Sequence, residues 1–188
     1  DGMTELLTLA RDAGFEETTP LQAAQLVFRP EVRDMCRADR CSSYGKSWCC
    51  PPACPSLEEM TRRMRDYGQG VLVETVGTMA DDFDYEAMME AETRHKTRFR
   101  QLTQALYHRY GRENVLPMGA GTCRRCARCT YPDAPCRFPE EQVVSMEAYG
   151  LLVSQVCQDC GAVYYHGPRT MTYVSCIFLR RGAEGGNK

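Results

Sequence analysis

The residues with the clearest capacity for chemistry are cysteines, twelve in a chain of 188. Four follow one another as Cys123-x2-Cys126-x2-Cys129-x6-Cys136, with Arg137 directly after. Thiols spaced by three residues on a short loop can converge on one metal centre. Bacterial ferredoxins present C-x2-C-x2-C in this way to a 4Fe–4S cluster. Structural zinc sites more often use separated C-x2-C pairs, or cysteine with histidine. The spacing therefore points to metal, with iron–sulfur ahead of zinc and zinc kept as the alternative.

A second group reads Cys36-x4-Cys41-x7-Cys49-Cys50-Pro51-Pro52-x-Cys54. Pro51 and Pro52 predict an extended, stiff backbone directly after Cys50. Adjacent side chains diverge, so Cys49 and Cys50 are not both expected on one iron ion. Cys50, set against the prolines, is the preferred ligand. The expected metal ligands are Cys36, Cys41, Cys50 and Cys54 at the first site. At the second they are Cys123, Cys126, Cys129 and Cys136. Cys54 is the open question at the first site. A ligating Cys54 closes the cluster, whereas a free one leaves an iron open for substrate.

Charged and aromatic neighbours fit the same chemistry. Four thiolates on an oxidised 4Fe–4S core leave a net charge of about −2, which nearby cations and N–H donors stabilise. Lys46, Trp48 and Arg137 are the candidate cofactor-contacting residues. Trp48 would shield the metal from water, and Lys46 would offer a charge to an anionic cluster or substrate. Tyr44 either packs the loop or donates a proton. Arg124, Arg125 and Arg128 could stabilise a cluster. With no aromatic stacking platform beside them, they do not suggest nucleic-acid binding.

Other motifs are weaker. Cys157-x2-Cys160-Gly161 reads as a helix end with a glycine cap, or as half a zinc ribbon or a redox dithiol. Cys176, among Val174, Ile177 and Phe178, reads as a buried small hydrophobe. His95 reads as a satisfied core histidine, and His108 and His166 stand in no motif. Glu147 is either a surface carboxylate or an anchor for a ligand loop. No Ser–His–Asp set, Walker loop or G-x-G-x-x-G is present.

The elements that must position these loops follow from periodicity. Thr4–Ala13 predicts a helix ending at Gly14, and Ala23–Phe28 a strand, followed by a helix from Pro30 to Cys36. Ser56-Leu57-Glu58-Glu59 is a capping box that starts another helix, ending near Gly68. Val71–Thr78 predicts a strand. Asp84–Tyr110 predicts a long helix with a buried stripe of Met88, Ala91, His95, Phe99, Leu102, Leu106 and Tyr110. Val115–Met118 and Met171–Leu179 predict strands, and Glu140–Cys160 a helix broken at Gly150. The expected fold class is α/β or α+β, a small sheet of about four strands flanked by helices. One domain over residues 1–188 is expected, with two metal-binding inserts at 36–54 and 123–136. If the strands feeding them are neighbours, the two loops meet at one end of the sheet.

Composition limits the rest. Hydrophobic residues make up 43% and charged residues 26%, with a net charge of −2, so no global attraction to nucleic acid or anionic membranes is expected. No apolar run approaches the roughly 20 residues of a membrane span. No basic, then apolar leader opens the chain, and the cysteines are clustered rather than spread as in a secreted disulfide scaffold. A cytoplasmic setting is expected. The Gly-rich tail Gly182–Lys188 is expected to fray.

Three stretches resemble an uncharacterised prokaryotic family of cysteine-rich predicted metal-binding proteins. The first runs Cys36-Arg37-Ala38-Asp39-Arg40-Cys41, then Tyr44-Gly45-Lys46-Ser47-Trp48 and Cys50-Pro51-Pro52. The second runs Gly121 to Cys129 and then Cys136-Arg137-Phe138-Pro139. The third is Ser145-Met146-Glu147-Ala148-Tyr149-Gly150. The resemblance implies metal binding in an anaerobic cytoplasm, and implies no particular reaction. The function expected is an iron–sulfur protein, with two 4Fe–4S clusters, acting in electron transfer or as a redox accessory to a partner protein. The alternatives are an enzyme using an open-site cluster and a structural zinc-binding interaction module. Oligomeric state is not legible.

Overall fold

The computed structural model describes residues 2–38 and 41–183. Asp39 and Arg40 of the first motif, and residues 184–188 of the Gly-rich tail, lie outside the described residues. The fold is α+β. Helices α1 (Gly2–Asp12), α2 (Pro30–Arg37), α3 (Leu57–Arg63), α4 (Tyr85–Tyr110) and α5 (Val153–Cys160) surround one sheet. Its strands are β1 (Glu17–Gln22), β2 (Tyr67–Thr78), β3 (Val115–Met118) and β4 (Thr170–Arg180), in the order β1-β2-β4-β3 and antiparallel throughout.

Alternation along the strands divides the core in two. Val71 and Val73 of β2 and Ile177 and Leu179 of β4 face α1 and α4, packing with Leu6, Phe99, Leu102 and Leu106. Leu72, Val174, Cys176 and Phe178 face the other way, against Met60, Met146, Leu151 and Val156. Burying one Leu- or Phe-sized side chain is worth about 2 kcal/mol. Gly77 lets α4 approach the sheet, since a Cβ there would lie 2.8 Å from the Cβ of Ala91.

The long helix keeps its expected stripe from Ala91 to Tyr110, with Met88 only half-buried, and Asp84 caps it by accepting from the Ala87 N–H at 3.1 Å. The Ser56–Glu59 capping box is formed in both directions, at 3.1 and 3.2 Å. Four expectations need correction. Ala23–Phe28 is not a strand: the first strand is Glu17–Gln22, and Ala23–Gln25 is a single tight helical turn. α3 stops at Arg63, so β2 begins as early as Tyr67. The segment 140–152 is mostly turns, and only Val153–Cys160 is regular helix. The first cysteine loop follows α2 rather than a strand.

His95 is a satisfied core histidine. Its ring nitrogens meet Thr75 Oγ1 at 2.8 Å and Ser175 Oγ at 2.7 Å, between β2, β4 and α4. Burial pushes its pKa down to about 3. The folded pKa lies below the unfolded value, so this neutral ring stabilises fully above about pH 6.5 and progressively less as pH falls towards 3. Melting temperature should therefore drop between pH 6.5 and 4, with the His95 ring still neutral by NMR at pH 5. A ring titrating near 6.5 would contradict this.

Candidate metal centre

The first cysteine loop spans the gap between α2 and α3. It is closed at its base by Arg33, whose guanidinium donates to the Pro55 carbonyl. Inside it the chain turns repeatedly: Gly45 N–H donates to Pro51 O at 2.8 Å, Cys50 N–H to Ser47 O at 3.2 Å, and Ala53 N–H to Cys50 O at 3.0 Å. The expected extended run at Pro51-Pro52 is thus not formed. The Pro51–Pro52 peptide is cis, and the chain turns there instead. Cys54 is buried, as are Cys49 and Cys50, while Cys36 is half-buried and Cys41 exposed.

The second loop leaves β3 at Met118. Its base is tied by a parallel bridge between Gly119 and Ser145. Gly119 N–H donates to Val144 O at 2.8 Å, and Met146 N–H to Gly119 O at 2.9 Å. α4 secures its first residues. Glu92 is buried on that helix yet meets Arg124 at 2.9 Å and Lys96 at 3.0 Å, and Lys96 also donates to the Thr122 carbonyl. Burial alone would raise the Glu92 carboxyl, but these two cations hold it below its usual range.

The two loops meet. The Trp48 indole N–H donates to Thr130 Oγ1 at 3.2 Å and Ala134 O at 3.1 Å, and its ring meets Tyr131 edge-on at 4.8 Å. Cys49 and Cys123 share a hydrogen bond between their sulfurs, which lowers the Cys123 pKa and raises that of Cys49. Between the loops lies a cavity of about 200 Å³. Its lining includes Cys49, Cys123, Cys126, Cys129 and Cys136, with Lys46, Trp48 and Arg137. None of its described lining residues is a histidine.

Cys36, Cys41, Cys50 and Cys54 form the other neighbourhood. Burial, then the charges of Cys41 and Cys36, push Cys50 up to about 11, with Ser47 opposing. Burial, Cys50 and Cys36 push Cys54 to about 12, against the pull of Arg33. Cys36 is raised by burial and by Cys41. Thiols in this state are protonated at neutral pH, so metal binding must expel protons.

Cys49 stands outside the expected ligands because adjacent side chains diverge and Cys50 lies against the prolines. Its proximity to Cys123 depends on how the loops dock, which spacing does not encode. One further residue, Glu92, carries no motif and was not singled out. Glu147, named above as a possible anchor for a ligand loop, meets the Cys36 sulfur through its backbone carbonyl at 3.9 Å. The Glu147 carboxylate itself is on an exposed residue. The arginines are mostly engaged. Arg124 pairs with Glu92. Arg125 binds Glu141 at 2.5 Å and stacks 3.7 Å over the Phe138 ring, and Arg137 donates to Arg128 O at 2.9 Å.

Among the described residues, no three Cys, His, Asp or Glu side chains already stand in metal-holding geometry. The thiols are gathered but not closed around a point, and ligation would draw them in. The donor set still fits a sulfur-ligated group: one cavity is lined by five thiols, and a second set of four thiols adjoins it.

Residues 19–179 match the family described as Predicted metal-binding protein (DUF2284), and the chain belongs to it. It is thus a cysteine-rich member of a family of predicted metal-binding proteins whose domain has no assigned function. No curated protein and no solved structure matches the chain. Among the described residues no helix is long and apolar enough to cross a membrane.

Proposed function

We propose that this chain is an iron–sulfur protein with two 4Fe–4S clusters, acting in electron transfer or as a redox accessory to a partner protein in a reducing, cytoplasmic setting. Cys123, Cys126, Cys129 and Cys136 would hold one cluster, and Cys36, Cys41, Cys50 and Cys54 the other. The observation that carries this reading is the thiol-lined cavity between the docked loops, on a C-x2-C-x2-C segment. When bound, such clusters supply one-electron transfer. The residues around them would exclude water (Trp48), add positive charge (Lys46, Arg137) and fix the loops against each other (Trp48 with Thr130). Anaerobic purification with iron and sulfide analysis tests it. A brown protein with about eight iron and eight sulfide per chain is expected. A colourless protein holding zinc instead would overturn it.

A catalytic reading requires an open iron, and it turns on Cys54. The burial of Cys54 beside Cys50 favours a closed, four-thiolate site. EPR of the reduced protein separates the two. The wild-type spectrum should ignore added cyanide, and Cys54→Ser should respond to it. A wild-type spectrum that shifts with cyanide would establish the open site.

A further inference from the structure

A second group of metal-capable side chains lies under the sheet, apart from both loops. Glu74 sits on β2, paired in register with Val174, on the same face as Leu72. The whole residue is 0% exposed, and neither of its carboxylate oxygens has a hydrogen-bond partner. His166 comes nearest, with Nε2 3.5 Å from Glu74 Oε1, and that Nε2 also lacks a hydrogen bond. A buried carboxylate without a donor costs several kcal/mol unless a cation or a proton compensates it.

The same pocket of structure holds thiols. α5 presents Cys157 and Cys160 at i and i+3, so both lie on one helix face. Gly161 then reverses the chain in a left-handed conformation, and Ala162 N–H closes on Cys157 O at 2.8 Å. Cys157, Cys160 and Ala162 pack on the apolar cluster that includes Leu72, Val174 and Cys176. Glu74 is near enough that its charge adds to burial in raising the Cys157 and Cys160 thiols. Cys176 is fully buried beside them.

We propose that Cys157, Cys160, His166 and Glu74 form a zinc(II) site separate from the two cysteine loops. Two thiolates, an imidazole and a carboxylate make a four-ligand set of the kind zinc accepts. A divalent ion would offset the buried Glu74 charge, which the chain itself meets only with the His166 ring at 3.5 Å and with no hydrogen bond. The side chains are loosely grouped, so binding draws His166 and the two thiols towards Glu74. The site ties α5 and the segment after it to the centre of the sheet, which gives it a structural role. Binding releases the two thiol protons to solvent.

The test is zinc counting on the full chain after zinc incubation and dialysis, with iron measured in the same samples. About one zinc per chain is expected in wild type and in Cys126→Ser. Cys157→Ser and Glu74→Gln should each lose most of it with iron content unchanged. Zinc unaffected by either substitution, or lost only with Cys126→Ser, overturns the proposal. Should those variants fold poorly, cobalt(II) absorption provides a second measurement. The thiolate-to-cobalt band should weaken in Cys160→Ser, a replacement at a partly exposed position. An unchanged band there equally overturns the proposal. The iron readings judge the electron-transfer function separately, so the two can fail independently.

Discussion

Cys126→Ser is expected to leave the protein with about half its iron after anaerobic reconstitution. Cys126 lies in the middle of the C-x2-C-x2-C segment and lines the cavity between the loops. Serine is a poor ligand for iron–sulfur chemistry, and the first group of thiols does not include this position. The remaining iron should keep its spectrum, because the first loop keeps its own turns and its own base at Arg33 and Pro55. Cys49→Ser is the control. Cys49 touches Cys123 but is not among the four proposed ligands, so its loss should leave the iron count unchanged. Full iron in Cys126→Ser would dismiss the second-loop assignment, and iron loss in Cys49→Ser would move Cys49 into the ligand set.

Gly150→Val should destabilise the fold by about 3 kcal/mol and weaken the first site with it. Gly150 has φ of +99°, a conformation that a β-branched residue does not tolerate. A Cβ there would lie 2.3 Å from Leu57 Cδ2. The carbonyl of Gly150 also receives the Arg29 N–H at 2.7 Å, directly before α2 and Cys36. Displacing it moves α2 and α3 together, and these helices frame the first loop. Thermal melts and iron content check this. A variant with wild-type melting temperature and full iron would show that the segment yields without consequence.

That segment marks the limit of what the chain discloses by pattern alone. The Ser145–Gly150 motif could be singled out, but its role could not, because the contacts that tie it to both loops reach residues far away in the chain. Ser145 bridges Gly119 at the root of the second loop, Leu151 bridges Phe28 before α2, and the Glu147 carbonyl meets Cys36. The long helix and the Ser56 cap were legible because their signals are local: a 3.6-residue stripe, and a hydroxyl and carboxylate three residues apart. β1 was missed because Glu17, Thr18, Thr19 and Pro20 carry little apolar pattern, with only Leu21 buried. The apolar run after it looked like a strand but packs as a turn. The cysteine spacings were legible as metal motifs. The docking of the loops through Trp48 was not, since its partners Thr130 and Ala134 lie about eighty residues on.

The order of strands bears on how the sheet can meet other chains. β1 and β3 are the two outer strands of the sheet, and each contains a proline, Pro20 and Pro117. A proline is tolerated in an edge strand when its nitrogen faces away from the ladder, so each outer strand lacks an amide donor where a further strand would dock. Growth of the sheet from one molecule to the next is thereby disfavoured at both sides. Under the proposed function, a chain stripped of its clusters would keep both prolines in place, so its outer strands would still disfavour strand-by-strand association.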